Sequence, residues 1–477
     1  MKKSPQSSWL DNLIMFVSPR IGLQRQIAKF SYDALTSNRL HRKRTGLVGT
    51  GDTQLTVVAL DKAREICRDL CRNNPLIKGL LLMEANGVVG SSTQIQARTE
   101  DEEWNRAAEQ LWQEQAVNQT IDVTGRFNFH EFLQKAFLSY RRDGDFFVLF
   151  TDAGLQGVEG ECCGTPTGLG SLQNFTVTNG VAVSNSTKKV IGYYIGTPNT
   201  WGYIKPDSYQ KYLAENVCHV FSPDRFSQSR GEPALISSIE YIDLLDSYIS
   251  AELVAAKVAA CFSTFVTSKD NAAVPAPYTG GISSEGKDTD TGQRLEKLNP
   301  GSINYLEPGE LITAVSATRP PSAFDSFVIR LFMLITRPLC LPYALALGDY
   351  SQATYMNMRA ALMEVHQNWS VQQDFLVRPL ARRIWNYYIA KWVASGDLSD
   401  RTDKFAAEVI GKKWPYIDPT RDAAADDQNL KLGVTTRAAI CARQGHEWKD
   451  TLDQRKREED YIKELGIELG PPQKGVV

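Results

Sequence analysis

PALISSIEYIDLLDSYISAELVAAKVAACFSTFV, residues 233–266, is the stretch on which the fold turns. Its apolar residues Leu235, Ile236, Ile239, Ile242, Leu245, Ile249, Leu253, Val254, Val258 and Phe262 recur at helical spacing, yet they occupy most of the circumference. Opened by Pro233, a continuous helix of that length spans roughly 50 Å. A helix apolar nearly all round must be covered on several sides, and a large core or neighbouring subunits can supply the cover. Leu245, Ile249, Leu253, Val258 and Phe262 are the candidate subunit contacts. The best membrane-like run, 253–266, is shorter than the ~18 residues a span needs and is broken by Lys257.

Outward toward the C-terminus the texture reverses. Residues 268–322 contain NAAVPAPYTGGISSEGKDTDTG, a loop by composition, and INYLEPGELITAV, which reads as two short strands about Pro308-Gly309. Ser322 and Asp325 form a capping box for a helix over 324–336. Two helices thus flank a β-containing insert. Pro338 and Pro342 end the second, LPYALALGDYSQATY reads as a loop, and a further helical stretch over 355–393 is interrupted at Pro379. Residues 396–477 read as mostly short charged helices, ending in the run 448–465.

Outward toward the N-terminus, 151–222 is rich in Gly, Thr, Asn and β-branched residues and reads as short strands. Helices are expected from Asp61, as cap, through Cys71, and over 76–85, 102–116 and 129–140. RRDGD at 141–145 reads as a turn feeding a strand over 146–150.

The 477 residues suggest about three folded units, and 42% hydrophobic with 23% charged residues argue for a buried core. The net charge of −2 excludes a protein coated with DNA-gripping cations. Charge is uneven, however. Residues 1–50 hold nine Lys or Arg against Asp11 and Asp33, and Arg39, Arg42, Lys43 and Arg44 are the densest part of this basic arm. Eight cysteines lack the dense spacing of a disulfide framework, which points to a reducing compartment. No small-residue cleavage site follows the N-terminal MKKSPQSSWLDNLIMFVSPR, so we expect no signal peptide and synthesis in the cytoplasm.

Chemistry is hard to find. GLVGTGDT at 46–53 has the outline of a phosphate loop, but Asp52 stands where the Lys must neutralise phosphate, so it reads as a glycine turn. Cys162-Cys163 and Cys218-His219 are adjacent pairs, poor for zinc, which favours C-x2-C spacing. His130-Glu131 reads as the first turn of a helix. No metal, cofactor or catalytic constellation is expected.

Several stretches together resemble the lambda-type portal proteins of tailed bacteriophages: RDLCRNNPLIKGLL (68–81), RRDGDFFVLF (141–150), VFSPDRFSQSRGEP (220–233), DSYISAELVAAKVAACFSTFVT (246–267), LNPGSINYLEPGE (298–310), PPSAFDSFV (320–328), LPYALALGDYS (341–351), RAALMEV (359–365) and WPYIDPTRDAAADDQNLKLGVTTRAAICARQGHEW (414–448). They run in family order over most of the chain beyond about residue 60. The resemblance implies an α+β portal fold assembled as a ring, usually of twelve subunits. After the basic arm (1–60) would come a mixed α/β wing (61–231), a stem helix (232–267), a small β-containing clip (268–322) and a second stem helix (323–338). A tunnel loop (339–354), a helical return to the wing (355–395) and a helical C-terminal crown (396–477) would complete it. It implies a place at one capsid vertex of the virion, where double-stranded DNA enters and leaves. The implied partners are the terminase large subunit, a head-tail adaptor, the major capsid protein and a scaffolding protein, with no membrane.

Two other readings compete. An enzyme acting on nucleic acid or peptide would need a site the sequence does not offer. A head-tail adaptor or head-completion protein would have no need of a stem and clip in one chain. Within the portal reading, 338–358 contains no Lys or Arg, so Asp349, Tyr350, Ser351 and Gln352 are the candidate DNA-facing residues, touching DNA without gripping phosphates.

Overall fold

The computed structural model describes residues 50–169, 174–200, 202, 204, 205, 208–261, 265, 266, 304, 305, 324–351, 353–414, 417–443 and 448–466. The basic arm with Arg39, Arg42, Lys43 and Arg44, nearly all of the insert, Ser322 of the expected capping box, Phe262 and Gln352 lie outside them.

Two units separate. The smaller comprises 1–56 with 225–228. Its described residues include a helical turn, Gly51–Gln54, whose Gly51 N donates to Ser227 Oγ at 2.8 Å.

The larger unit opens with α1 (Val57–Asn73) and α2 (Pro75–Val88). The first starts ahead of Asp61, which is not a cap but accepts from Arg64 one turn on, at 2.8 Å. Asn74 caps α2 through Leu76 N and Ile77 N, with Pro75 at the first helical position. Strand β1 (Gln94–Ala97) and α3 (Glu102–Trp112) follow, the latter continuing as a π-helical turn, Gln113–Val117. Then α4 (Phe129–Asp143) begins in a capping box of Asn128 and Glu131. Helix α4 absorbs Arg141 to Asp143 of the expected turn, and Gly144 alone, at φ +92°, reverses the chain into β2 (Asp145–Thr151).

The β-rich region makes two antiparallel sheets. One orders β3 (Gly154–Glu159), β2 and β8 (Val217–Phe221); the other orders β4 (Phe175–Thr178), β5 (Val181–Ser184), β6 (Val190–Ile195) and β7 (Gln210–Leu213). After a 3-10 turn, Ile236–Ser238, comes α5 (Ile239–Cys261). It is shorter than the sequence suggested, about 35 Å rather than roughly 50 Å. The residues after Pro233 are claimed by other contacts: Ala234 N donates to Arg141 O at 3.0 Å, and Ser238 Oγ to Ile335 O at 3.1 Å. Beyond α5, β9 (Phe265–Val266) pairs in parallel with β10 (Asn304–Tyr305).

Helix α6 (Phe324–Thr336) returns antiparallel to α5: Tyr248 stacks on Phe324 at 5.5 Å, while Ser238 meets Ile335. The expected loop contains a short helix, α7 (Tyr343–Leu347). Helix α8 (Tyr355–Gln372) passes through a π-helical turn, Gln373–Val377, into α9 (Arg378–Ser395), so the interruption falls just before Pro379, which sits in the first turn of α9. The C-terminal part is not all helix. Strand β11 (Ala407–Ile410) pairs antiparallel with β1, ahead of α10 (Pro419–Lys431), α11 (Arg437–Arg443) and α12 (Trp448–Glu464).

Two cores meet at α2. Its Ala85 and Val88 join the aromatic core of α3, α4, β2 and α9, where Trp112 lies edge-on to Trp385 at 5.2 Å. Its Ile77, Leu80 and Leu81 join Ile242 and Leu245 of α5, Phe332 and Ile335 of α6, and Val365 of α8. The buried pair Glu84–Arg141, at 2.8 Å, locks α2 to α4 between the two. Here burial raises the Glu84 carboxyl despite the opposing pull of Arg141.

Candidate functional site

Where the long helical pair joins the sheets, charge is concentrated in the interior. Asp145, the first residue of β2, is fully buried. Its Oδ1 accepts from Arg64 of α1 at 2.9 Å and from Arg230 at 3.2 Å, and its Oδ2 accepts from Arg230 Nε. The Arg230 guanidinium spends its remaining donors on the carbonyls of Cys163, Asn179 and Gly160, the first two at 2.8 and 2.9 Å. His219 Nε2 of β8 lies 3.5 Å from Asp145 Oδ2, its ring stacked between Phe147 and Phe221. Burial alone would raise the Asp145 carboxyl, but Arg230, then His219 and Arg64, hold it far below the usual range. Burial lowers His219 despite the opposing pull of Asp145.

A second layer surrounds this one. Asp143 receives both Arg68, at 2.9 and 3.0 Å, and Arg142, at 2.6 and 2.8 Å, while Arg68 also grips Glu161 through two 2.7 Å bonds. Four arginines thus face five carboxylates, Asp61, Asp143, Asp145, Glu159 and Glu161, with Glu159 lying 3.5 Å from Arg68 and 3.6 Å from Arg142.

Two glycines let the backbones meet. A Cβ on Gly144 would lie 2.6 Å from Gly231 O, and one on Gly231 would lie 2.0 Å from Gly144 O. RDLCR, RRDGD and SRGEP, far apart in sequence, therefore converge where the chain leaves the sheets for α5. Sequence reasoning quoted these motifs but assigned them no contact. The available signal was charge directly beside apolar strand residues, as in Asp145 before Phe146-Phe147.

The helical pair shows two faces. Leu245 is 5% exposed, and with half-buried Ile249 it packs inside its own chain. Leu253 is 56% and Val254 59% exposed, alongside Leu244 of α5 and Phe327 and Leu334 of α6. The side chain of Val258 lies outside the described residues. Of the acids on α5, Asp246 accepts from Asn74 Nδ2, and Glu240 and Asp243 are exposed.

The loop after α6 is anchored and then released. Leu339 and Leu341 are buried around Cys340, which adopts φ +53°. After α7, Gly348 turns at φ +67°, and Asp349, Tyr350 and Ser351 are all exposed. Asp349 Oδ1 accepts from Ser351 N at 3.0 Å, and the Ser351 hydroxyl, then this N–H, lower the carboxyl; Asp349 does not cap α8, which Thr354 does, accepting from Asn357 N. The cysteine pairs do not converge. Cys218 and His219 point to opposite sides of β8, and burial first of all pushes the Cys162 and Cys163 thiols up to about 12 and about 11.

Residues 37–373 match the model of the family described as phage portal protein, lambda family. The chain belongs to that family. Among its relatives, a probable portal protein of Halomonas phage phiHAP-1 is 22% identical, covering 90% of this chain and 86% of its own. The portal protein B of Escherichia phage lambda is 21% identical, covering 85% and 84%. Among solved structures, the neck of an empty gene transfer agent particle is similar at TM-score 0.39 and 13% identity, covering 80% of this chain and 93% of the other. Portal proteins are structural components of the phage capsid, and the role of this portal chain is structural. The matched residues contain the whole arginine–carboxylate cluster, both long helices and the exposed loop. No described helix of the portal chain is long and apolar enough to cross a membrane.

Proposed function

We propose that this portal chain assembles as a ring of identical subunits, twelve in the virion, forming the channel at one capsid vertex through which double-stranded DNA is packaged and ejected. In this reading the sheets and helices before 232 are wing, α5 and α6 are stem, the insert is clip, the exposed loop faces DNA, and the C-terminal helices are crown. The clip then docks the terminase large subunit and later the head-tail adaptor, while the major capsid protein surrounds the wing. One observation carries the proposal: α5 and α6 pack one apolar face on their own chain and leave a second, with Leu253, Val254 and Phe327, uncovered. Head-to-tail contact with a neighbour buries such a face and closes into a ring. The arginine–carboxylate cluster fixes the stem root to the wing, so a load on the stem is borne by the sheets. Placing Asp at both Leu253 and Val254 tests the reading. Rings should fail to form while the melting profile of the single chain is retained; intact rings would refute it.

A further inference from the structure

The contact between α8 and the C-terminal helices has no part in the function proposed above. Helix α8 is the one into which the exposed loop runs, with Thr354 as cap and Tyr355 as first residue. Tyr355 Oη donates to Asp418 Oδ2 at 3.1 Å. One turn later Arg359 donates to Asp422 Oδ1 at 3.1 Å and approaches Asp418 to 3.9 Å. Asp418 is in turn the cap of α10, accepting from Arg421 N, and its own N–H donates to Asp422 Oδ2 at 3.2 Å. Four side chains therefore join the first two turns of one helix to the cap and first turn of another. Farther along α8, His366 stacks on Trp414 at 4.7 Å and 8°, while Trp414 Nε1 donates to Gly87 O at 2.9 Å. The segment leading into α10 is thus held to α8 at two points, one rigid and aromatic, the other polar and at the loop end.

The polar point is suited to opening and closing. The Arg359, Asp418 and Asp422 side chains are 26, 21 and 25% exposed, so water reaches these pairs from one side, unlike the buried pairs around Asp145. The sequence singles out the same places, since Arg359 opens RAALMEV and both aspartates lie in WPYIDPTRD.

We infer that Tyr355, Arg359, Asp418 and Asp422 form a clasp that passes the position of the loop at 348–354 to helix α10, and the state of α10 back to the loop. The reciprocity follows from linkage, because a contact that biases one element by another's position works in both directions. The clasp rests on the DNA-facing reading only for its use, not for its existence.

The test perturbs the loop and reads α10 in the DNA-free protein. Gly348→Ala is a clean perturbation, because at φ +67° an added Cβ meets nothing within 4 Å and acts only through backbone strain. Asp349→Ala, which removes the bond to Ser351, is the second perturbation should the first fail to fold. Amide exchange of 419–431 should change severalfold with either loop variant, and by less than half as much when Arg359→Gln is also present. No change in α10, or an equal change with and without Arg359, overturns the clasp. Ring formation is scored by electron microscopy on the same samples. Rings without coupling defeat the clasp alone, and coupling without rings defeats the ring proposal alone.

Discussion

At the scale of single residues, Asp145 organises the interior. Asp145→Asn leaves Arg230 buried without its counter-charge and Arg64 with Asp61 alone, and removing one partner of a buried pair costs about 3–5 kcal/mol. Urea unfolding should show a loss of that size; one below about 1 kcal/mol would mean that the carbonyls around Arg230 suffice. The same residues set the response to acid. Burial depresses His219, so near the ordinary imidazole pKa of about 6.5 the unfolded chain takes up a proton that the folded chain refuses. Stability is therefore present above that pH and falls as pH drops below it. Asp145, also depressed, adds a second loss below about pH 4, where the unfolded chain protonates first. His219→Gln should flatten the decline in denaturation midpoint between about pH 7.5 and 5; an unchanged slope would assign it to His130 and His366, which burial also lowers. None of this network was legible in the sequence, because its members sit at 61–68, 141–145, 161, 219 and 230 and only the fold brings them together.

At the scale of elements, the pair α5 and α6 separates two kinds of apolar residue that periodicity treats alike. Leu245→Asp places an unpaired charge among Ile77, Phe332 and Ile335 and should destabilise the chain itself by about 3 kcal/mol or more. Leu253→Asp, on the uncovered face, should leave the stability of the single chain within about 0.5 kcal/mol and act on assembly instead. Equal effects of the two on the melting of dissociated chains would contradict this division. The existence and order of the long helices, the β-rich region and the 324–336 helix were legible, since apolar spacing and turn residues are local signals, whereas the short α7 was read as loop. The start of α5 was not, because contacts from Arg141 and Ile335 claim the residues after Pro233. Nor was β11, four residues whose strand character comes from pairing with β1. For the loop, Asp349→Asn keeps the acceptor for Ser351 N and should be silent. Asp349→Lys should slow DNA packaging by adding one cation per subunit to a segment without any, with ring stability unchanged. A lower ring melting temperature with an unchanged packaging rate would defeat the DNA-facing assignment.

At the scale of the whole molecule, the family was legible from motifs in order, each weak and jointly specific, and the structure gives several of them a physical reason: the arginine–carboxylate cluster for three, the loop helix with its C-terminal partner for two more. The apolar pattern of α5 and α6 does not show which of its residues their own chain leaves uncovered; the fold does. The central claim is that this uncovered surface closes a ring. The most direct measurement is electron microscopy of the purified protein at micromolar concentration, with its mass by light scattering. The account predicts particles with a central hole and a mass many times that of the 53.2 kDa chain, with twelve subunits in rings taken from virions; a population at the mass of one chain, with no hole-bearing particles, would contradict it.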